Sequence, residues 1–264
     1  MKLLTCKIEC EKVKKIIDNI TCPIWICGGS GVVEGWLGSG TERGEPFKSQ
    51  KGGSAMLEEI IRKWGGHEVS AMQVYTDLFG LGEGLIQRQD EEPGAFKSNP
   101  LGYWKNDGEQ RGHRRILFDD TFEETLKEMQ EADFSIMNGL TYFGKRNAAE
   151  NASKMYAMIF DVDGITDETL NNFLSGAYVS EAYPVPNYVV LSGHNIHLYY
   201  RFEIPIALYP NIKLQLKELK YSLTGKMWNR YTSTEKKVQF QGINQGFRVI
   251  GGKTKIEGVR VRAF

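Results

Sequence analysis

The segment Met155-Tyr-Ala-Met-Ile-Phe160 is a nearly unbroken apolar run, followed at once by Asp161-Val-Asp-Gly164. An apolar run this short predicts a buried strand. Alternation along a strand puts residues i and i+2 on one face, so Asp161 and Asp163 point the same way. Two carboxylates side by side repel each other and call for a cation between them. Hard oxygen ligands of this kind suit magnesium or manganese. A pair of such ions activates an attacking hydroxyl and stabilises a leaving pyrophosphate. A lone Asp-x-Asp also serves as a turn and a helix cap, so the rest of the chain must decide.

The elements around this run form a recognisable order. Thr166 to Leu174 predicts a helix, with Asp167 and Glu168 well placed in its first turn. Tyr188–Leu191 and Ile196–Phe202 read as paired strands around a polar turn. Residues 211–230 read as a long basic helix, and Phe247–Ile250 as a last buried strand. Strand, helix, strand, strand, helix, strand predicts an α+β fold, with a split βαβ sheet carrying helices on one face.

Upstream, residues 10–19 read as a short helix, and the glycine-rich stretch 24–44 as short strands and turns. No Gly-Lys-Ser/Thr follows those glycines, so they do not form a phosphate loop. A helix is expected from Ser54 to Trp64, capped by Ser54 and ended by Gly65-Gly66. The polar stretch 88–112 suggests a linker or long loop. A further helix starts near Thr121, where Thr121 and Glu124 have capping-box spacing. These signals divide the chain into an N-terminal α/β part, 1–110, and a second part, 111–264.

Two more constellations carry chemistry. In Leu191-Ser-Gly-His-Asn-Ile-His197, Ser192, the backbone amide of Gly193 and His197 are donors that could hold a triphosphate. Alternation turns His194 away from His197, which argues against a two-histidine zinc site. In Gln245-Gly-Phe-Arg-Val-Ile-Gly-Gly-Lys-Thr-Lys255, Arg248 lies inside an apolar strand. A charge there needs an anionic partner, a carboxylate or a bound phosphate. Lys253 and Lys255 follow a Gly-Gly turn and could extend the same phosphate site.

Charge is unevenly spread although the net charge is zero. Residues 165–264 hold 13 Lys+Arg against 7 Asp+Glu, and the first 164 hold 20 against 26. A basic half after an acidic half suits one face for a polyanion. The helix carrying Lys213, Lys217, Lys220, Lys226 and Arg230 is a candidate for a nucleic-acid backbone, with Trp228 near by to stack on bases. All four cysteines, Cys6, Cys10, Cys22 and Cys27, precede residue 28. Their spacing suits free thiols in a reducing compartment better than zinc. No apolar run approaches the roughly 20 residues of a membrane span. No signal-peptide core opens the chain, so a cytoplasmic protein is expected.

Taken in order, these motifs resemble the archaeo-eukaryotic primase superfamily, and within it the primase-polymerases of plasmids, phages and integrative elements. The resemblance rests on Asp161/Asp163, on Ser192-Gly193…His197, and on Arg248-Val-Ile-Gly-Gly-Lys-Thr-Lys255. Leu140-Thr-Tyr-Phe-Gly-Lys-Arg146 is similar to the segment preceding the catalytic strand in mobile-element members. It spans roughly residues 113–264. It implies a catalytic core with an RRM-like split βαβ sheet that carries the active site. Asp161 and Asp163 would hold Mg2+ or Mn2+. Ser192, Gly193, His197, Arg248, Lys253 and Lys255 would bind the nucleotide, with His197 also in the catalytic set. Lys145, Arg146, Lys213, Lys217, Lys220 and Arg230 are the expected nucleic-acid contacts. The implied partners are a single-stranded DNA template, a primer strand and NTP or dNTP, with a replicative helicase as a further partner and no membrane.

One departure bears on activity. The family supplies a third carboxylate before the arginine strand, yet no aspartate follows Asp167. Gln239, Gln241, Asn244 and Gln245 stand there, which leaves Glu203 or Glu235 for the role. A non-catalytic replication-initiation module that binds DNA or nucleotide is therefore a rival reading. A haloacid-dehalogenase-type phosphatase is a remote one, since its motif belongs near the N-terminus and needs a later acidic pair. The ending Lys255–Phe264 reads as an interrupted strand, as though the natural chain continued.

Overall fold

A computed structural model describes residues 53–86 and 98–264. The four cysteines, the expected helix 10–19, the glycine-rich stretch 24–44 and residues 87–97 lie outside the described residues.

The fold is α+β, built from two antiparallel sheets. Its helices are α1 (Gly53–Lys63), α2 (Ala71–Phe79), α3 (Phe122–Glu131), α4 (Asp167–Tyr178) and α5 (Pro210–Met227). Its strands are β1 (Leu101–Lys105), β2 (His113–Ile116), β3 (Phe134–Met137), β4 (Leu140–Tyr142), β5 (Ala152–Val162), β6 (Tyr188–Leu191), β7 (Ile196–Ala207), β8 (Phe247–Arg248) and β9 (Arg262–Ala263). One sheet runs β2-β1-β3-β8 and the other β4-β5-β7-β6-β9.

The apolar run is the long strand β5, flanked by β4 and β7. Its even residues Met158, Phe160 and Val162 pack with Leu198, Tyr200, Leu216 and Met227 under α4 and α5. Its odd residues Ala157 and Ile159 face a second core shared with Met137 and Phe247 of the other sheet and with Val249 just after it. A strand covered on both faces needs apolar side chains on both, hence the unbroken run.

The strand, helix, strand, strand, helix order is present as β5-α4-β6-β7-α5. The last strand behaves differently from the expectation. Only Phe247 and Arg248 are extended, and they pair with Ile136 and Met137 of the other sheet. The edge beside β5 is taken instead by β4. Three local expectations also shift. The polar stretch 88–112 contains β1, which pairs with β2 across residue 110. The helix expected from Ser54 begins at Gly53, so Ser54 lies inside its first turn. Thr121 makes no side-chain cap on α3. The working capping box is at α4, where Thr166 and Thr169 bond reciprocally.

The sheets join at Asn138-Gly139, between β3 and β4. Gly139 accepts from the Tyr156 and Ala157 amides at 2.8 and 3.2 Å. A Cβ on Gly139 would stand 2.6 Å from the Ala157 carbonyl oxygen, so only glycine allows the approach.

Candidate active site

Asp161 sits on β5 directly opposite His197 on β7. Asp163 follows just past the end of β5, close enough for its charge to act on Asp161. His197 is 3% exposed, and its Nε2 lies 3.7 Å from Asp161 Oδ1, too far for a hydrogen bond. Asp161 Oδ1 and His197 Nδ1 are both buried without a hydrogen-bond partner. Burial, and then the Asp163 charge, push the Asp161 carboxyl up to about 7, while Lys255 and Lys220 act in the other direction. Burial and Glu235 raise Asp163, which accepts a bond from Asn195 Nδ2 and feels Lys255. Burial, then Arg248, holds His197 at about 3, so the imidazole is neutral at neutral pH.

Two mutually repelling carboxylates, one of them with an orphaned oxygen, suit a hard cation. Magnesium is commonly held by one or two carboxylates, with waters and substrate phosphates completing its shell. Among the described residues no group of three or more His, Cys, Asp or Glu forms a fuller cage. Glu235 is the nearer of the two expected third carboxylates, since its charge acts on Asp163. Glu203 lies six residues past His197 along β7, about 20 Å at the rise of a strand. It lines a separate groove between α1, α2 and β7.

Gln241 explains why an amide stands where an acid was expected. Its side chain accepts from the Asp161 amide at 3.2 Å and donates to the Asp161 carbonyl at 3.1 Å. It thus grips the Asp161 backbone. Ser233 fixes the next stretch by donating from its hydroxyl to the Asp163 carbonyl. Gly164 is in the left-handed region at φ 68°, and a Cβ there would meet Thr234 and Glu235. The chain after Asp163 therefore packs tightly against the segment that brings Glu235.

The Ser192-Gly193 turn closes on itself. Ser192 donates from both its amide and its hydroxyl to the Asn195 carbonyl, at 3.0 and 3.2 Å. Gly193 takes φ 111°, with Thr254 beside it. The 192–195 turn thus reaches Asp163 through Asn195, a residue that sequence reasoning passed over. An amide next to a Ser-Gly turn is its only sequence signal.

The cations separate into distinct groups. Lys255 is exposed, and its charge reaches both carboxylates. Lys253 is instead bonded to Asp133 at 2.8 Å. Arg248 stacks its guanidinium 4.5 Å from the Phe134 ring centroid and donates to the Asp133 and Lys253 carbonyls. No carboxylate ion-pairs with Arg248 among the described residues.

The basic helix departs most from expectation. α5 packs on the face of β5 opposite the carboxylates. Lys220 is 1% exposed and donates to the Gly242 carbonyl at 3.0 Å. It lies over the Phe160 and Phe247 rings and cannot meet a backbone phosphate from solvent. Trp228 is equally buried, with its indole nitrogen bonded to the Glu235 carbonyl, so it is core rather than a stacking platform. Lys217 and Arg230 are exposed, Lys213 half-buried, and Lys145 and Arg146 exposed in the loop after β4.

No protein-family profile matches the chain, and no curated protein matches it. Among solved structures, the AEP domain (PP-N190) of the cyanophage S-2L primase-polymerase is similar. It is 14% identical, the match covers 71% of this chain and 88% of that one, and the TM-score is 0.43. None of the described helices is long and apolar enough to cross a membrane.

Proposed function

We propose that this chain is a primase-polymerase core of the archaeo-eukaryotic primase type, acting in replication of a mobile genetic element. The observation that carries the reading is the convergence of Asp161 and Asp163 at the end of β5, with His197 opposite Asp161 and the Lys255 charge in reach. The order of the three motifs supports it. Residues 111–264 carry the catalytic motifs in this reading, and the described residues before 111 pack into the same two cores and contribute β1 to the sheet of β2, β3 and β8. The substrates are a single-stranded DNA template, a primer strand and NTP or dNTP, with a helicase as downstream partner.

Asp161 and Asp163 would hold Mg2+ or Mn2+, which supplies Lewis-acid activation and charge neutralisation when bound. The reaction is attack of a 3′-hydroxyl on an α-phosphate with release of pyrophosphate. The chain's own contribution is positioning and electrostatics. Gln241 fixes the Asp161 backbone, Asn195 aims Asp163, and neutral His197 supports Asp161 from the paired strand. Lys255 and the Ser192-Gly193 turn face the place where phosphates would sit, with Arg248 farther along.

The test is nucleotide incorporation on single-stranded DNA, with and without a primer, in manganese or magnesium. Template-dependent products should vanish with Asp161→Asn and fall at least roughly tenfold with Glu235→Gln, the loss of one charge-stabilising group. Full activity of Asp161→Asn would overturn the assignment. The second reading is a non-catalytic replication module, favoured by Gln241 standing where an acid was expected. Intact DNA binding with no incorporation under any condition would select it.

A further inference from the structure

Among the described residues, the sheet β2-β1-β3-β8 leaves one face without a helix. α3 covers the other face, where a Cβ on Gly102 would touch Met129. Register places Tyr103, Arg114, Ile136 and Arg248 opposite one another on the uncovered face, and Phe134 shares it two residues from Ile136. Their side chains form an alternating ladder. The Arg114 guanidinium lies 5.8 Å from the Tyr103 centroid. Tyr103 and Phe134 meet edge to face at 6.2 Å. Arg248 caps Phe134 at 4.5 Å. Phe134 is 37% exposed. Neither arginine is ion-paired to a carboxylate among the described residues, so both keep capacity for an anion. A cavity of about 220 Å3, of a size for a single base, opens beside Tyr103, Arg114 and Ile136.

We infer that this face binds a single-stranded DNA segment, with bases stacked on Tyr103 and Phe134 and phosphates held by Arg114 and Arg248. Charge complementarity argues for a polyanion, and aromatic faces among the cations argue for one with unpaired bases. Duplex bases are stacked on each other and cannot offer their faces to side chains. The Arg248 end of the ladder also adjoins the candidate active site. Phe247 packs its ring 5.3 Å from that of His197, and the Arg248 charge acts on that imidazole. Phe247 points from the opposite face of β8, the edge strand of its sheet, so a strand on the ladder face would reach Asp161 round that edge, whereas the exposed lysines of α5 lie on the far side of β5. The inference extends the proposed function by giving the template its track, but its core claim is DNA binding.

Fluorescence anisotropy of a labelled oligothymidylate measures it, with the whole chain and no nucleotide. Phe134→Ala and Tyr103→Ala should each weaken binding roughly 5- to 100-fold, as the loss of one stacked base does. Phe134→Trp should keep the affinity and add a fluorescence signal that the oligonucleotide quenches, which also covers an alanine variant that fails to fold. The log of affinity should fall with log salt by about 0.7 per phosphate held, and less steeply in Arg114→Ala. Native affinity in both alanine variants with no quenching in Phe134→Trp would overturn the inference. So would equal affinity for duplex, or a full loss in Lys217→Ala/Arg230→Ala with the ladder intact. If only the ladder fails, native incorporation persists. If only the polymerase reading fails, ladder-dependent binding persists without incorporation.

Discussion

At the scale of single residues, the buried charges decide what the site can do. Asp161 keeps an orphaned oxygen, and the His197 that faces it is neutral with its Nε2 3.7 Å away. Lys220 is the counterweight from below, an amine 1% exposed between two aromatic rings. Burial lowers its pKa from 10.5 to about 7, against a smaller pull from Asp161. Between those two values the unfolded chain binds a proton that the folded chain lacks. Stability should therefore rise with pH from about 7 toward 10.5, the window in which the burial penalty is released. Lys220→Met should flatten that rise and leave the chain at least as stable at neutral pH. Denaturant midpoints across this range check it. An unchanged slope in the variant would mean that Lys220 is solvated.

At the scale of elements, close backbone approaches hold the two sheets in register. Gly139 lets the β3–β4 connection lie on the Ala157 backbone, inside the central strand. Gly139→Ala must push that strand or the connection aside, a strain of about 1–3 kcal/mol. Gly102→Ala comes too close only to the end of the Met129 side chain, whose sulfur would stand 2.6 Å away, with Leu117 at an ordinary 3.6 Å, and a flexible side chain can yield. Urea denaturation should show the larger loss in Gly139→Ala, and the reverse order would contradict the packing described. The helices follow simpler rules. α4 starts at Thr166 through its capping box, and α2 ends at Gly80 in the left-handed conformation.

At the scale of the whole molecule, the carboxylates lie at the end of β5 in one sheet and the arginine ladder on the other. A cation held by Asp161 and Asp163 would bind the folded chain alone. At a hundredfold excess over its dissociation constant it adds about 2.7 kcal/mol of stability. Thermal melting should show manganese raising the Tm of the native chain, with a chelator reversing the rise, and no rise in Asp161→Asn/Asp163→Asn. An equal rise in the double variant would place the cation elsewhere. Much of this arrangement was legible in the residues. The strand at Met155–Phe160, the paired strands β6 and β7 and the α4 helix follow from periodicity and capping, which are local properties of the chain. The tertiary structure alone decided that β8 joins the other sheet, that Lys220 and Trp228 are interior, that Gln241 grips the Asp161 backbone across 80 residues of sequence, and that Tyr103, Phe134 and Arg248 share one face. Each depends on which distant segment fills a sheet edge or a core vacancy. That choice is made by the packing of the whole chain, and no window of neighbouring residues carries it.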